Sequence, residues 1–219
     1  MRAGVLLSGC GHQDGSEIRE AVFSLLALDM HGVAVECIAV EGTQEKVISH
    51  ISGKEQQDQR SVIEESARIA RGNIKLISDC NLDTLDALVM PGGFGCALNL
   101  CDFAVKGEAM EVRPEVSDLV KYFYTHKKPI GAICIAPVIV AKVLGEHGVK
   151  LTIGADQETS KILSNWGAKH LECAKGQCVV AQENSIVSTP AYMYGDSRVG
   201  DVYEGISKLV HAVVDLAKV

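Results

Sequence analysis

The sequence predicts an α/β fold in which a mostly parallel sheet is covered by helices on both faces and carries an added β-hairpin. Short apolar runs alternate with segments of helical periodicity, which is typical of strand–helix repeats. The run at residues 85–90 is almost wholly apolar, as expected for a strand buried on both faces. Near the C-terminus, two short apolar runs flank the turn-like Gln182-Glu183-Asn184, which predicts the hairpin.

The predicted strands and helices follow one another in regular order. The first strand, 3–8, precedes a helix at 16–30, and Gly32 follows that helix as a stop signal. The helix is indicated by five apolar residues at helical spacing: Ile18, Ala21, Val22, Leu25 and Leu26. Further strands are predicted at 33–40, 85–90, 130–133, 151–153, 178–181 and 185–188, and further helices at 58–71, 114–126, 136–144, 156–166 and 198–216.

Composition limits the classes of protein to which the chain can belong. Its 219 residues, without a repeat or linker, predict a single domain spanning 1–219. Apolar residues make up 47%, which excludes disorder, and the net charge of −7 argues against nucleic acid or a membrane as partner. Neither a signal nor a transit peptide is recognisable, so we expect a cytoplasmic protein rather than a mitochondrial one. The eight cysteines are then expected to be free thiols, without a metal.

The segment around Cys134 carries the strongest chemical signal. A predicted strand runs directly into a predicted helix there, and the flanking Ala132 and Ala136 are small enough for a sharp, strained corner. Pro137 suits the first turn of the helix. A thiol at a helix N-terminus is favoured as thiolate, so Cys134 is the candidate nucleophile. The alternative is that Cys134 is one more buried cysteine in an apolar strand.

Two other loops lie where strands of such a sheet present their carboxyl ends. The first contains Gly11, His12 and Glu17, and its glycine spacing and its carboxylates do not suit a dinucleotide phosphate. Glu17 is either a helix cap or the carboxyl partner of Cys134. The second, residues 91–95, is glycine-rich, and the backbone N–H of Gly93 with that of Ile135 would form an oxyanion hole.

Together these segments resemble the ElbB-type glyoxalase family, in the PfpI-like branch of the class I glutamine-amidotransferase-like superfamily. The resemblance spans almost the whole chain. It is carried by five motifs in order: Ser8-Gly9-Cys10-Gly11, Asp14-Gly15-Ser16-Glu17-Ile18, Pro91-Gly92-Gly93-Phe94-Gly95, Cys134-Ile135-Ala136-Pro137 and Thr189-Pro190-Ala191-Tyr192-Met193.

The resemblance implies a three-layer flavodoxin-like sandwich with Cys134 on a nucleophile elbow and Glu17 as its partner. It also implies a glyoxalase III-like, glutathione-independent conversion of glyoxal to glycolate that needs no cofactor or metal, carried out by a homodimer. The expected substrate-binding residues are Gly92, Gly11, His12 and Thr189.

The pattern departs from other members of the superfamily in two ways. In peptidase and amidotransferase relatives a histidine follows the cysteine or lies in a downstream His-x-Glu; here Ile135 follows and none of the seven histidines has that arrangement, which weakens those two interpretations. Relatives also tend to have an apolar–aromatic pair where His12-Gln13 stands, which leaves the preferred substrate open. Two alternatives remain beside the glyoxalase. One is a Cys134-dependent deglycase or hydrolase, and the other is a non-enzymatic protein that senses oxidation through its thiol.

Overall fold

The computed structural model describes residues 1–218. The strands are Arg2–Leu7 (β1), Ala34–Ala39 (β2), Ile74–Leu76 (β3), Ala87–Met90 (β4), Ile130–Ile133 (β5), Lys150–Leu151 (β6), Lys169–His170 (β7), Val179–Ala181 (β8) and Ile186–Thr189 (β9). The α-helices are Ile18–Met30 (α1), Val62–Ile69 (α2), Phe94–Leu98 (α3), Phe103–Lys106 (α4), Pro114–Thr125 (α5), Pro137–Leu144 (α6), Gln157–Asn165 (α7) and Val199–Leu216 (α8).

Seven strands form one sheet in the order β3-β2-β1-β4-β5-β9-β8. All neighbours pair in parallel except β8 and β9, which are antiparallel, with Val180 opposite Val187. The prediction of a mostly parallel sheet with a β-hairpin is therefore confirmed. The strand predicted at 151–153 lies outside this sheet, because β6 pairs with β7 in a separate two-stranded sheet.

Helices cover both faces of the large sheet, as predicted. One apolar cluster includes Phe123 of α5 and Ile139 of α6, and the other includes Leu28 of α1 and Leu209 of α8. Because strands β1, β4 and β5 lie between these clusters, their side chains are buried on both sides. Within residues 1–218, no helix has the length and apolar character needed to cross a bilayer.

Two short helices, α3 and α4, follow the glycine-rich turn after β4 and were not predicted. They contain five and four residues, which is too short for a recognisable helical period. Their position matters for function, because α3 begins at the carboxyl end of β4, beside the turn that follows β5.

Candidate active site

Cys134 occupies the sharp turn between β5 and α6. Its φ of +60° lies in the left-handed region that L-residues rarely adopt, which confirms the strained corner predicted from the sequence. The strain is held by neighbours, since the Cys134 N–H donates to the Thr189 carbonyl at 2.9 Å and α6 begins at Pro137. Ala132 and Ala136 on either side are fully buried, so larger side chains would collide there.

The Cys134 side chain lies at the floor of a cavity of about 350 Å³. Its residue is only 8% exposed, and that exposed part faces the cavity. Residues from the first loop, α3, α4 and the 3-10 turn after β9 complete the walls. They are His12, Glu17, Gly93, Phe94, Ala97, Phe103, Ala104, Ile135, Tyr192 and Met193.

Glu20, a residue that the sequence analysis did not select, is the carboxyl group in contact with the thiol. It is fully buried and its side chain lies beside Cys134, with both groups packed against Gly92. Its Oε2 accepts the Gly92 N–H at 2.9 Å and its Oε1 accepts the Tyr192 N–H at 3.3 Å. Burial, and then the charge of Glu17, raise the pKa of Glu20 to about 8, so this carboxyl is protonated at neutral pH.

The environment of the sulfur couples its ionisation to that of Glu20. Burial and the Glu20 carboxylate raise the pKa of the Cys134 thiol, whereas the backbone N–H groups of Gly93 and Ile135 act to lower it. When Glu20 carries its proton, the repulsion between the two groups disappears, although burial still raises the pKa of the thiol. The nucleophilic form of the pair is therefore a thiolate beside a neutral carboxylic acid.

Glu17, the predicted partner of Cys134, lies on the cavity wall and serves as the N-cap of α1. Its Oε2 accepts the Glu20 N–H at 2.7 Å, and its own N–H donates to the Gly92 carbonyl at 2.9 Å. The helix-capping role considered from the sequence is thus the one these contacts show. The sequence did contain a signal for Glu20, because it is a second carboxyl one helical turn beyond Glu17.

The glycines after β4 allow the backbone to approach the Cys134–Glu20 pair. A Cβ on Gly92 would lie 2.6 Å from the Cys134 Cβ and 2.8 Å from Glu20 Oε2, so no side chain fits there. Gly93 has a φ of +96° and, like Ile135, lines the cavity. The two residues predicted to form an oxyanion hole are therefore neighbours of the same sulfur.

The remaining predicted site residues have different positions. His12 lines the cavity and packs edge-on against the ring of His50, with 5.0 Å between ring centroids. Gly11 is buried against His50, outside the cavity lining. The Thr189 hydroxyl donates to the Gln177 carbonyl at 2.7 Å, so Thr189 supports the Cys134 backbone from outside the cavity.

Two further observations concern the side chains that could form disulfides or bind a metal ion. All eight cysteines are free. In residues 1–218, no group of three or more His, Cys, Asp or Glu side chains is arranged to hold a metal ion.

Comparison with known proteins adds named relatives to this geometry. The chain is 40% identical over 98% of its length to the ES1 protein homolog, mitochondrial, of Rattus norvegicus, covering 84% of that protein. It is 40% identical, again over 98% of its length, to the Homo sapiens glutamine amidotransferase-like class 1 domain-containing protein 3, mitochondrial, covering 83% of it.

A solved structure from Ehrlichia chaffeensis, named an isoprenoid biosynthesis protein with amidotransferase-like domain, superimposes with a TM-score of 0.92. It is 37% identical, and the match covers 99% of both chains. Drosophila melanogaster DJ-1beta, at 19% identity, has a TM-score of 0.53 over 99% of this chain and 95% of its own, which shows the shared fold. The model of the DJ-1/PfpI family matches residues 11–192. The chain therefore belongs to the DJ-1/PfpI family, within the class I glutamine-amidotransferase-like proteins.

Proposed function

We propose that this protein is a cofactor-independent glyoxalase that converts glyoxal, and other small 1,2-dicarbonyls, to the 2-hydroxy acid. The observation that carries the proposal is the juxtaposition of the buried Glu20 carboxyl and the Cys134 thiol at the cavity. A neutral carboxylic acid beside a thiolate supplies both a nucleophile and a proton carrier, the two groups that this reaction needs. The DJ-1/PfpI family includes enzymes, which agrees with a catalytic role.

The reaction begins with addition of the Cys134 thiolate to one aldehyde carbon of glyoxal. The aldehyde oxygen becomes an oxyanion beside the N–H groups of Gly93 and Ile135, and it takes a proton from Glu20 to give a hemithioacetal. Because the cavity is lined mostly by apolar surface, water competes less well for that proton than it would in bulk solvent.

The second stage moves hydrogen between the two carbons. The Glu20 carboxylate removes the proton from the carbon bonded to sulfur, which leaves an enediolate. It then returns this proton to the neighbouring carbon, while the hydroxyl proton of the first carbon passes to the neighbouring oxygen. The first carbon is thereby oxidised to a thioester and the second is reduced to an alcohol. Water then cleaves the thioester, so glyoxal and one water give glycolic acid, which ionises to glycolate, and the free thiol returns.

A second candidate, a Cys134-dependent deglycase or hydrolase, is favoured by one contact. His12 shares the cavity with Cys134, so an imidazole is present to activate water although none follows the cysteine in sequence. Pre-formed cysteine or lysine adducts of glyoxal, washed free of dicarbonyl, separate the two activities. Loss of such adducts would favour hydrolysis, and their persistence would favour the glyoxalase.

The experiment that tests the glyoxalase is proton NMR of glyoxal with purified protein in thiol-free buffer. We expect glycolate from the parent protein and none above background from Cys134→Ala. Cys178→Ala is the matched control, because it removes another free thiol that does not line the cavity. Glycolate formation that survives Cys134→Ala would contradict the proposal.

Further proposals concern compartment and assembly. The free cysteines suit a reducing compartment, and we place the protein in the cytoplasm. The matrix is the alternative, since the names of the rat and human relatives describe those proteins as mitochondrial. We further propose that the protein is a homodimer. Its ligand is a small dicarbonyl substrate rather than nucleic acid or a membrane, because the chain carries a net charge of −7.

A further inference from the structure

The cavity above Cys134 is much larger than glyoxal requires. Its volume is about 350 Å³, which falls in the range of roughly 300–1,000 Å³ that holds larger organic ligands. Glyoxal occupies about the space of two or three water molecules, each taking about 30 Å³ in the liquid. Most of the cavity would therefore stay unfilled while glyoxal reacts at its floor.

The unfilled part of the cavity is apolar and aromatic. Phe94 and Phe103 form one wall, and Tyr192 and Met193 line the cavity from the 3-10 turn after β9. Phe94 is 57% exposed, so much of its ring is open to contact with a ligand. An apolar group placed in the cavity would cover part of this ring and gain the free energy of burying both surfaces.

The charged groups at the cavity disfavour an anion. Glu17 lines it, and no Lys or Arg lies among the described residues of its lining. The Arg19 guanidinium donates to the Tyr192 hydroxyl at 2.9 Å, but Arg19 is not itself part of that lining. A carboxylate or phosphate on the substrate would therefore meet the Glu17 carboxylate without a cation to balance it.

We propose that the preferred substrates are uncharged 1,2-dicarbonyls, R–CO–CHO, in which R is an apolar group of about the size of a phenyl ring. This inference rests on the glyoxalase function proposed above. The aldehyde carbon meets the Cys134 sulfur, and R lies against Phe94, Phe103 and Met193. For phenylglyoxal, addition of one water gives mandelic acid; the aldehyde carbon is oxidised and the ketone carbon is reduced.

The test compares kcat/KM for glyoxal, methylglyoxal, phenylglyoxal and 4-carboxyphenylglyoxal. One carbon-sized group in an apolar pocket changes kcat/KM by roughly 10–200-fold, so we expect phenylglyoxal to exceed glyoxal by at least about tenfold. The carboxylated analogue should fall about tenfold or more below phenylglyoxal, because its charge faces Glu17.

The dicarbonyls also differ in their own reactivity toward a thiol. Variants of the cavity wall cancel this difference, because the same substrates are compared in each protein. Ala104→Phe on α4 adds a ring to the cavity wall and should lower the ratio of phenylglyoxal to glyoxal kcat/KM about tenfold. Phe94→Ala removes an exposed ring and should lower the same ratio without disturbing the core. Val105→Phe is the matched control, since Val105 neighbours Ala104 but is exposed outside the cavity, and it should leave the ratio unchanged.

The possible failures can be told apart. Turnover of glyoxal equal to or faster than that of phenylglyoxal would overturn the substrate class and leave the glyoxalase function intact. Absence of turnover with all four dicarbonyls would reject the glyoxalase function, and the substrate class with it. A ratio that changes equally in Ala104→Phe and Val105→Phe would show that the cavity wall does not select the substituent.

Discussion

The two faces of helix α1 depart from the usual distribution of polar and apolar residues. The face toward the sheet buries Glu20 and Ser24 together with small or apolar residues such as Ala21 and Leu28. The outward face carries a row of apolar residues four apart. These are Ile18, Val22, Leu26 and Met30, which are 46%, 44%, 44% and 68% exposed.

The polar residue on the inward face has a chemical reason, because Glu20 lies beside Cys134. Burying a carboxyl group is costly unless it is neutral and hydrogen-bonded, and Glu20 meets both conditions through its raised pKa and its contacts with Gly92, Tyr192 and Cys134. The outward row has no such explanation within one chain. The inward face thus places Glu20 beside Cys134 in the candidate site, whereas the outward face leaves four apolar side chains exposed.

The largest expected effect separates the two carboxyls at the start of α1. Glu20→Gln removes the proton carrier but keeps the shape of the side chain, so we expect kcat/KM for glyoxal to fall by about 10²–10⁴-fold. Glu17→Gln should lower it by about tenfold or less, and should cost about 1 kcal/mol in unfolding free energy because the helix cap weakens. Steady-state kinetics and urea unfolding measure both. Equal losses in activity, or the larger loss in Glu17→Gln, would contradict the assignment of Glu20.

A smaller effect concerns the pH dependence of stability. The pKa of Glu20 is about 8 in the folded protein against an ordinary value of 4.5, so the folded state binds more protons between these values. The stabilisation that Glu20 gives to the folded state is fully present below pH 4.5. It is lost as pH rises toward and through 8, at up to about 1.4 kcal/mol of unfolding free energy per pH unit.

Urea unfolding at pH 5, 6, 7 and 8 checks this slope in the parent protein and in Glu20→Gln. Because other titrating groups are common to both proteins, the difference between their unfolding free energies isolates Glu20. We expect the parent to lose stability relative to the variant as pH rises. Curves that stay parallel over this range would show that Glu20 is not held neutral by the fold.

Most of the fold could be predicted from local sequence patterns. Helix α5 and strand β5 were placed within one residue, because the Pro at the start of one and the apolar run of the other are strong signals. What local patterns lack is the position of elements in space. The two-residue strands β6 and β7 depend on pairing across the chain, so the predicted strand at 151–153 could not be assigned to its own small sheet.

The part of the site that could be predicted from the sequence is the sharp turn at Cys134. The small residues around Cys134 indicated the corner, and its φ of +60° confirms it. The choice between Glu17 and Glu20 depended instead on which side of α1 faces the sheet. The apolar residues that identified this helix suggest the wrong side, because Ile18, Val22 and Leu26 face outward and Glu20 faces inward.

The outward face gives the prediction with the smallest effect on the folded chain. Apolar rows of this kind can pack against the same row of a second copy about a two-fold axis, so we expect α1 to form the contact of a homodimer. We expect light scattering to give the mass of a dimer for the parent protein and of a monomer for Val22→Glu. The unfolding free energy of the separated chain should change by about 0.5 kcal/mol or less, because the substituted side chain is exposed.

The control variant Val180→Glu places the same charge on the similarly exposed edge strand β8 and should remain dimeric. A monomeric parent protein, or a dimer that survives Val22→Glu, would contradict this row as the dimer contact.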